Sequence, residues 1–391
     1  MKKIAFAIEK FSRYAGGAES YAVSLATTLI AQGWEVHLFG EAWDGEPEAA
    51  IFHRIPIPRY LPAWLKIALF ALRHRRAVRN QDFDVIMGFG NTVYMNVYQS
   101  HGGVHQISTE RKVYSERSAM KRALKRLTIV LSPKQWMRAW IESAPFRLDP
   151  RPEIVAIAHM IQRDMESVFH VSSSDIHVVY NGVDTSRYNR NLRDTVRGPL
   201  RKRLGIQDDE VVFLFVSYDL KKKGIEPLIE AAFQLKDSAH DRFRIIIVGG
   251  LPSRSLARRI KRLHLEDTIL FTGPVRSTDQ YYANSDVFVL PTYYDACSLV
   301  VIEAMACSLP PITTTANGAA GIIADGRDGF VIPHPPESPD LAEKMRVFFD
   351  GEKRQQMSHE ASRVGHQYSL QKNHQEMIRI FDDIAASKNP D

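Results

Sequence analysis

The stretch Val287–Thr315, VFVLPTYYDACSLVVIEAMACSLPPITTT, concentrates the residues most able to do chemistry. An apolar run ends at Leu290 and Pro291, a loop carries Asp295, and a helical pattern opening near Ser298 carries Glu303. A helix that starts at the carboxyl end of a buried strand turns its first free N–H groups toward that end, where a pyrophosphate could be held without a metal. Glu303 could accept two hydroxyl donors, as from a ribose diol, and Asp295 could do the same for a sugar ring. The two carboxylates could equally be an acid and a base, and an acidic first turn is common in helices that have no function.

Two further clusters offer charge or close backbone approach. Lys221-Lys222-Lys223-Gly224 follow an apolar run ending at Val216 and lead into a helical pattern, a place where a lysine can hold a diphosphate; a solvated loop is the alternative. Gly16-Gly17 follow the first apolar run and open the first helical pattern, so they suit either a phosphate or a plain tight turn. Gly88-Phe89-Gly90 lacks the third glycine of a dinucleotide loop, because Val93 stands there. Asp82-Phe83-Asp84 matches a metal-binding D-x-D in form, yet it sits before a strand as loop punctuation.

Short apolar runs alternate with helical periodicity along the whole chain, the mark of parallel α/β layers. Strands are expected at Ile4–Ile8, Val36–Phe39, Val85–Met87, Ile154–Ile157 and Val178–Tyr180, with a helix at Ala18–Gln32. After the Asn181-Gly182 turn the alternation restarts with strands Val211–Val216, Ile245–Val248, Ile269–Phe271 and Val287–Leu290. Helices are expected at Gly224–Gln234, Ser253–Leu263, from about Ser277, and at Leu299–Ala306. With 391 residues, this predicts two Rossmann-like doubly wound domains, 1–182 and 183–370, facing across a cleft, with a C-terminal helix 371–391 packing back onto the first.

Charge divides along the same line. The chain carries 51 Lys and Arg against 45 Asp and Glu. The whole surplus of +6 lies in 1–182, and 54–147 alone holds 17 basic to 5 acidic residues. This is not the pattern of a uniformly basic nucleic-acid coat, and no nucleic-acid motif accompanies it. The segments 61–79 and 109–147 mix Trp64, Phe70, Trp136 and Trp140 with Arg and Lys, which suits either an anionic membrane surface or core-packed helices with solvated basic faces. Neither MKKIAFAIEKF nor Leu61–Leu72 is long enough to span a bilayer, and the first is too short for a signal sequence. Cys297 and Cys307, spaced along one helix, are too far apart to bond, and two free thiols point to the cytoplasm. No metal-ligand spacing is visible.

Four segments in this order, AGGAESYAVSLA at 15–26, VVYNGVDTSRY at 178–188, KKKGIEPLIEA at 221–231 and DACSLVVIEAMACSLPPITT at 295–314, resemble family 4 retaining glycosyltransferases of the GT-B fold. Ala42-Trp43-Asp44-Gly45 and the basic insert 106–147 are similar to the members that build lipopolysaccharide cores. The resemblance implies a hexosyltransferase using a nucleoside-diphosphate sugar, UDP-glucose the expected donor, without metal or other cofactor. It implies donor binding by Gly16 and Gly17 (phosphate), Gly249 (nucleobase), the backbone of Ser298, Leu299 and Val300 (diphosphate) and Glu303 (ribose). Lys223 would neutralise the leaving diphosphate, Asp295 stands for the first glutamate of the E-x7-E motif, and His101, with His105 next, would lie near the donor sugar and acceptor hydroxyl. Three positions depart from the pattern: Asp295 is one methylene short, Tyr218 replaces a phosphate-binding arginine, and Ser308 replaces the glycine of a C-G-x-P turn.

In that frame the first domain binds the acceptor, so its charge surplus predicts an anionic glycolipid or glycan acceptor and a peripheral position on the inner face of the cytoplasmic membrane. The expected reaction is same-face substitution, with domain closure about the 182 hinge excluding water. A non-catalytic sugar-nucleotide-binding or assembly protein of the same fold is the alternative, and Asp295 and Tyr218 are the residues that favour it.

Overall fold

The computed structural model describes residues 1–12, 16–236 and 242–388, with the backbone alone at Asp194. Ala15 of the first family-like segment and the last three residues of the expected C-terminal helix lie outside that set. The chain divides into two units, one of residues 1–180 with 372–391 and one of 181–371.

The first unit is built on seven parallel strands in the order Ile51–Arg54, Glu35–Gly40, Lys3–Ala7, Val85–Gly88, Val97–Gln99, Glu153–Ala156, Ile176–Val178. The order reverses beside Lys3–Ala7, which pairs with Glu35–Gly40 on one side and Val85–Gly88 on the other. The lysine-led apolar stretch at the start of the chain is therefore the central strand, with Ile4 to Ala7 fully buried. Helix α1 (Gly17–Ala31) follows it, and Met377, Ile378, Ile380 and Phe381 of the C-terminal helix Leu370–Lys388 share its core. Val178 ends the last strand rather than beginning it, because Ile176 to Val178 pair with Ile154 to Ala156.

Helix α2 (Ala63–Val78) covers the sheet edge, and Phe70 is core there rather than a surface anchor. The basic insert forms three helices, α3 (His105–Val113), α4 (Ala119–Val130) and α5 (Pro133–Glu142). Helix α5 packs on α2 through Ile141, Met137, Ile67 and Ala71. Helix α4 is held to α3 by polar contacts instead: Lys125 donates to the Lys112 carbonyl and pairs with Glu116, and Arg126 pairs with Glu110. No residue of α4 is buried.

The second unit holds six parallel strands in the order Ile269–Gly273, Phe243–Gly249, Val211–Ser217, Val287–Leu290, Pro311–Thr314, Phe330–Ile332. Its central strands read as unbroken apolar runs because both faces are covered. The order reverses beside Val211–Ser217, whose neighbours are Phe243–Gly249 and Val287–Leu290. In open α/β sheets that reversal opens a crevice at the strands' carboxyl ends. Lys221–Gly224 and Pro291–Ser298 both emerge there. Among the described residues, no helix is long and apolar enough to cross a membrane.

Candidate active site

Backbone geometry sets the second unit's site before any charge does. Gly224 has φ +86, and a Cβ on it would stand 1.9 Å from the Pro291 carbonyl oxygen, so the lysine loop lies directly against the end of strand Val287–Leu290. The Tyr293 N–H donates to the Lys222 carbonyl at 3.0 Å and fixes that seam. Gly249, at φ +107, pairs with Ser217, whose carbonyl oxygen would be 2.7 Å from an added Cβ. Only glycine lets these two strand ends run so close.

Charge is then placed on this frame. Lys223 Nζ donates to Asp295 Oδ2, and Ser298 Oγ donates to the same oxygen. Three residues assigned separate roles from sequence thus form one half-buried cluster at the N-terminus of helix Leu299–Ala306. The Ser298 N–H is already taken, donating to Asn317 Oδ1 at 3.2 Å, so the expected three-amide cap reduces to Leu299 and Val300. First-turn amides have no acceptor within their own helix, so these two are open to an anion. Asn317, fully buried, accepts from Ala319 N–H as well and donates to Thr313 Oγ1 at 3.0 Å. It braces the loop that Asp295 enters, where Asp295 N–H donates to the Ala316 carbonyl and Gly318 N–H to the Asp295 carbonyl.

Glu303, one turn along, accepts a hydrogen bond from Tyr282 Oη at 2.7 Å. Burial raises its pKa against the opposing pull of Tyr282, Arg187 and Tyr188. Arg187 and Tyr188 belong to the 178–188 segment, and Asn181 Nδ2 of the same segment donates to the Cys297 carbonyl at 3.4 Å. Two of the family-like segments therefore meet at Glu303. Tyr218 is 75% exposed beyond strand Val211–Ser217. Ser308 adopts φ +65, the left-handed conformation that glycine reaches without strain, and is fully buried in it. Both cysteines are free and buried, with burial pushing the Cys297 thiol up to about 12.

In the first unit, Gly16 is extended and precedes α1, with the Glu19 carboxylate folded back over it. Glu19 and Ala18 line a cavity of about 400 Å³ with Phe89, His101, His105, Lys112, Arg138 and Glu142. His101 Nε2 bonds Gln99 Oε1 at 2.8 Å, its ring tilted against those of Tyr21 and Phe89. Burial pushes its pKa down to about 3, so the imidazole is neutral. His105 Nε2 bonds Gln135 Oε1 at 2.6 Å. Asp82 and Asp84 do not act together: one pairs with Lys388, the other accepts the Lys3 N–H at 2.7 Å.

Two family models match this chain, Glycosyltransferase Family 4 over residues 15–187 and Glycosyl transferases group 1 over residues 196–364. The chain belongs to these glycosyltransferases. The transferase is 22% identical over 344 residues, 88% of either chain, to the lipopolysaccharide glucosyltransferase WaaG of Escherichia coli K12. It is 27% identical over 187 residues to N-acetyl-alpha-D-glucosaminyl L-malate synthase of Bacillus anthracis, covering 48% of this chain and 47% of that one. The crystal structure of WaaG superposes with a TM-score of 0.80 at 21% identity, covering 97% of this chain and 99% of that one. Anabaena HepE in complex with UDP-glucose gives 0.68 at 17% identity, covering 98% and 100%. The fold is GT-B.

Sequence reasoning missed the side chains that hold the transferase's site in place. Asn317 carried a faint signal as an Asn-Gly pair after a threonine run, and Tyr282 carried none. Glu142 was visible as a rare acid in the most basic segment.

Proposed function

We propose that this transferase moves a hexose, glucose by preference, from a uridine diphosphate sugar to an anionic, membrane-held glycan acceptor with retention at the anomeric carbon. The observation that carries the donor half is the Lys223–Asp295–Ser298 cluster beside the open amides of Leu299 and Val300. As the bond from the anomeric carbon to the diphosphate oxygen breaks, negative charge grows on the diphosphate. Lys223, released from Asp295, and the two amides would stabilise it; groups held ready in this way are commonly worth several kcal/mol. The acceptor oxygen attacks the same face and its proton passes to the departing diphosphate oxygen. Glu303 would receive the ribose hydroxyls, exchanging its bond from Tyr282.

Support for the sugar and acceptor comes from relatives: WaaG is named a lipopolysaccharide glucosyltransferase, and HepE was solved with UDP-glucose. Support for membrane contact comes from α4 and α5. Met120, Leu124, Leu127 and Leu131 lie on one exposed helical stripe, followed by exposed Trp136 and Trp140, among Lys121, Arg122, Lys125 and Arg126. Apolar side chains embedded in basic ones fit an anionic bilayer surface.

The test is turnover of UDP-glucose, followed as released UDP, with EDTA present. Lys223→Ala should lose more than tenfold in turnover with unchanged circular dichroism, while the parent keeps its rate in EDTA. A variant at near-normal rate would sink the assignment, and a parent silenced by EDTA would sink the metal-free step. Measurable hydrolysis lost in Glu303→Gln separates the enzyme from a non-catalytic sugar-nucleotide binder.

A further inference from the structure

Glu303 is held by hydroxyl groups, and hydroxyls are also what it would receive from a ribose. Tyr282 is fully buried on helix Asp279–Asn284, its ring edge-on to Tyr188 at 5.7 Å between centroids and tilted against Phe288 at 6.0 Å. A ring held on two sides carries its oxygen to one place, 2.7 Å from Glu303 Oε2, with the Val300 carbonyl oxygen the next acceptor at 3.4 Å. The Tyr188 hydroxyl also pulls on Glu303 and lies 3.4 Å from Thr278 Oγ1. Arg187 acts from further off, since its guanidinium donates to Ser277 Oγ at 2.7 Å, lies 3.6 Å from Asp279 Oδ2 and rests over the Tyr188 ring. Asp279 opposes the charge, and Cys307, one turn beyond Glu303, is a thiol that burial keeps neutral. Strands Val287–Leu290 and Pro311–Thr314 and the turn Gly318–Ile322 bring no titratable side chain, and helix Gly351–Gly365 sets Gly365 against the Ala306 backbone. Burial thus works against a charged Glu303, and the bond from Tyr282 is the largest force in its favour.

We propose that Tyr282 is a positioning residue whose hydroxyl stands in for a ribose hydroxyl on Glu303 until the donor binds. It keeps the carboxylate charged and aimed, then yields Oε2 to the ribose and turns its own proton to the Val300 carbonyl. Both acceptors already lie within reach of the same oxygen, so only the hydroxyl hydrogen has to move. A phenol and a sugar hydroxyl make the same charge-assisted bond to a carboxylate, so one replaces the other at little cost. Without the phenol, burial would protonate Glu303, and a neutral carboxyl gives up part of its capacity to accept two hydroxyl donors. The inference rests on the ribose role proposed for Glu303 above.

The test is calorimetric titration of the full-length protein at pH 6 and pH 8 with two probes. One is UDP; the other is 2′,3′-dideoxyuridine diphosphate, which carries the same phosphates without the diol. Losing the Tyr282 hydroxyl raises the Glu303 pKa further, so the harm is greatest at the lower pH. Tyr282→Phe should weaken UDP about tenfold at pH 6 and about threefold or less at pH 8, because each unit of pKa is a factor of ten. The dideoxy analogue should bind parent and variant alike at both, which also shows that the variant is folded. In a Glu303→Gln background, where nothing titrates, the effect of Tyr282→Phe on UDP should be the same at the two pH values. A Tyr282→Phe loss that is equal at both pH values with Glu303 present, or that the dideoxy analogue shares, marks a packing role and overturns the inference. A parent that binds UDP no more tightly than the analogue fails the ribose role of Glu303, and with it the donor half of the proposed function. A Tyr282→Phe protein with the parent's profile loses this inference alone.

Discussion

Two buried titratable side chains, one in each unit, are handled in opposite ways. In the second, Asp286 is almost fully buried, yet Arg193 and Arg197 reach it at 2.8 Å, Arg201 at 2.7 Å and the Val212 N–H at 2.9 Å. Burial opposes the charge, but the three guanidiniums hold its pKa below the ordinary carboxylate range. In the first, His74 is fully buried against Phe39, and among the described residues neither ring nitrogen has a hydrogen-bond partner. The units also differ outside. The first unit exposes an apolar stripe on α4 and α5, whereas the second keeps its apolar runs inside and braces its site loop with buried side chains such as Asn317. On the proposed function a diphosphate would demand fixed amides and a fixed cation from the second unit, and the first unit would be the half that meets a surface.

The sharpest way to break this contrast is Asp286→Asn. It strands three arginines around a neutral amide, and losing one partner of a buried ionic network costs about 3–5 kcal/mol. All five tryptophans lie in the first unit, so their fluorescence reports that unit alone. Urea unfolding of Asp286→Asn should show an early circular-dichroism transition while the tryptophan transition stays in place. A tryptophan transition that moves with it would mean that the units unfold as one, and the contrast would lose its meaning.

His74 gives the complementary test. Burial pushes its pKa down to about 4, from 6.5 in an unfolded chain. The unfolded chain then takes up the proton first, so stability is complete above the unfolded value and drains as pH falls toward the folded one. The full loss is about 3 kcal/mol at pH 4. His74→Leu should remove the His74 share of the slope between pH 7 and 4 in the tryptophan transition, leaving the share of His101, which is also buried as a neutral imidazole. An unchanged slope would show that another group of the first unit is responsible.

These two residues also mark what the sequence could and could not reveal. Strand Val287–Leu290 and helix Leu299–Ala306 were readable to the residue, because an unbroken apolar run and a glycine-free helical period leave few alternatives. The candidate donor residues were named because four family-like segments stand in order, not from any one of them. The bracing was not. Asn317, Tyr282 and Arg201 act across gaps of 19 to 85 residues, and no local pattern encodes a partner at that distance. The basic segments left two readings open for another reason: exposed and core-packed apolar stripes share one helical period, so Phe70, which is core, stood beside the exposed tryptophans as an anchor.

The apolar stripe itself can be probed with a smaller effect. Trp136→Ala with Trp140→Ala should lower binding to phosphatidylglycerol vesicles by about thirtyfold or more, since each exposed indole contributes on the order of 1–2 kcal/mol when its apolar area is covered. Flotation with anionic and neutral vesicles reads it directly. Equal partitioning of the parent protein between the two would remove the membrane surface from the account and return α4 and α5 to the status of solvated helices.

The smallest expected change falls on the rigid side, at the one position where the donor strip departs from its family in charge. Tyr218 is solvent-exposed where the resemblance implies an arginine, so on the proposed function Lys223 would stand with less help against two phosphate charges. An exposed guanidinium there would be screened and would add about 0.5–1 kcal/mol, a gain of roughly two- to fivefold in UDP-glucose affinity for Tyr218→Arg. In Lys223→Ala the same change should matter more, because it would restore one cation of the pair. The double variant separates two accounts of the departure. If Tyr218→Arg helps both backgrounds equally, the tyrosine simply lacks a charge. If it weakens the parent, Tyr218 has a positive role of its own against the donor, and an arginine at this position would be incompatible with this chain's substrate.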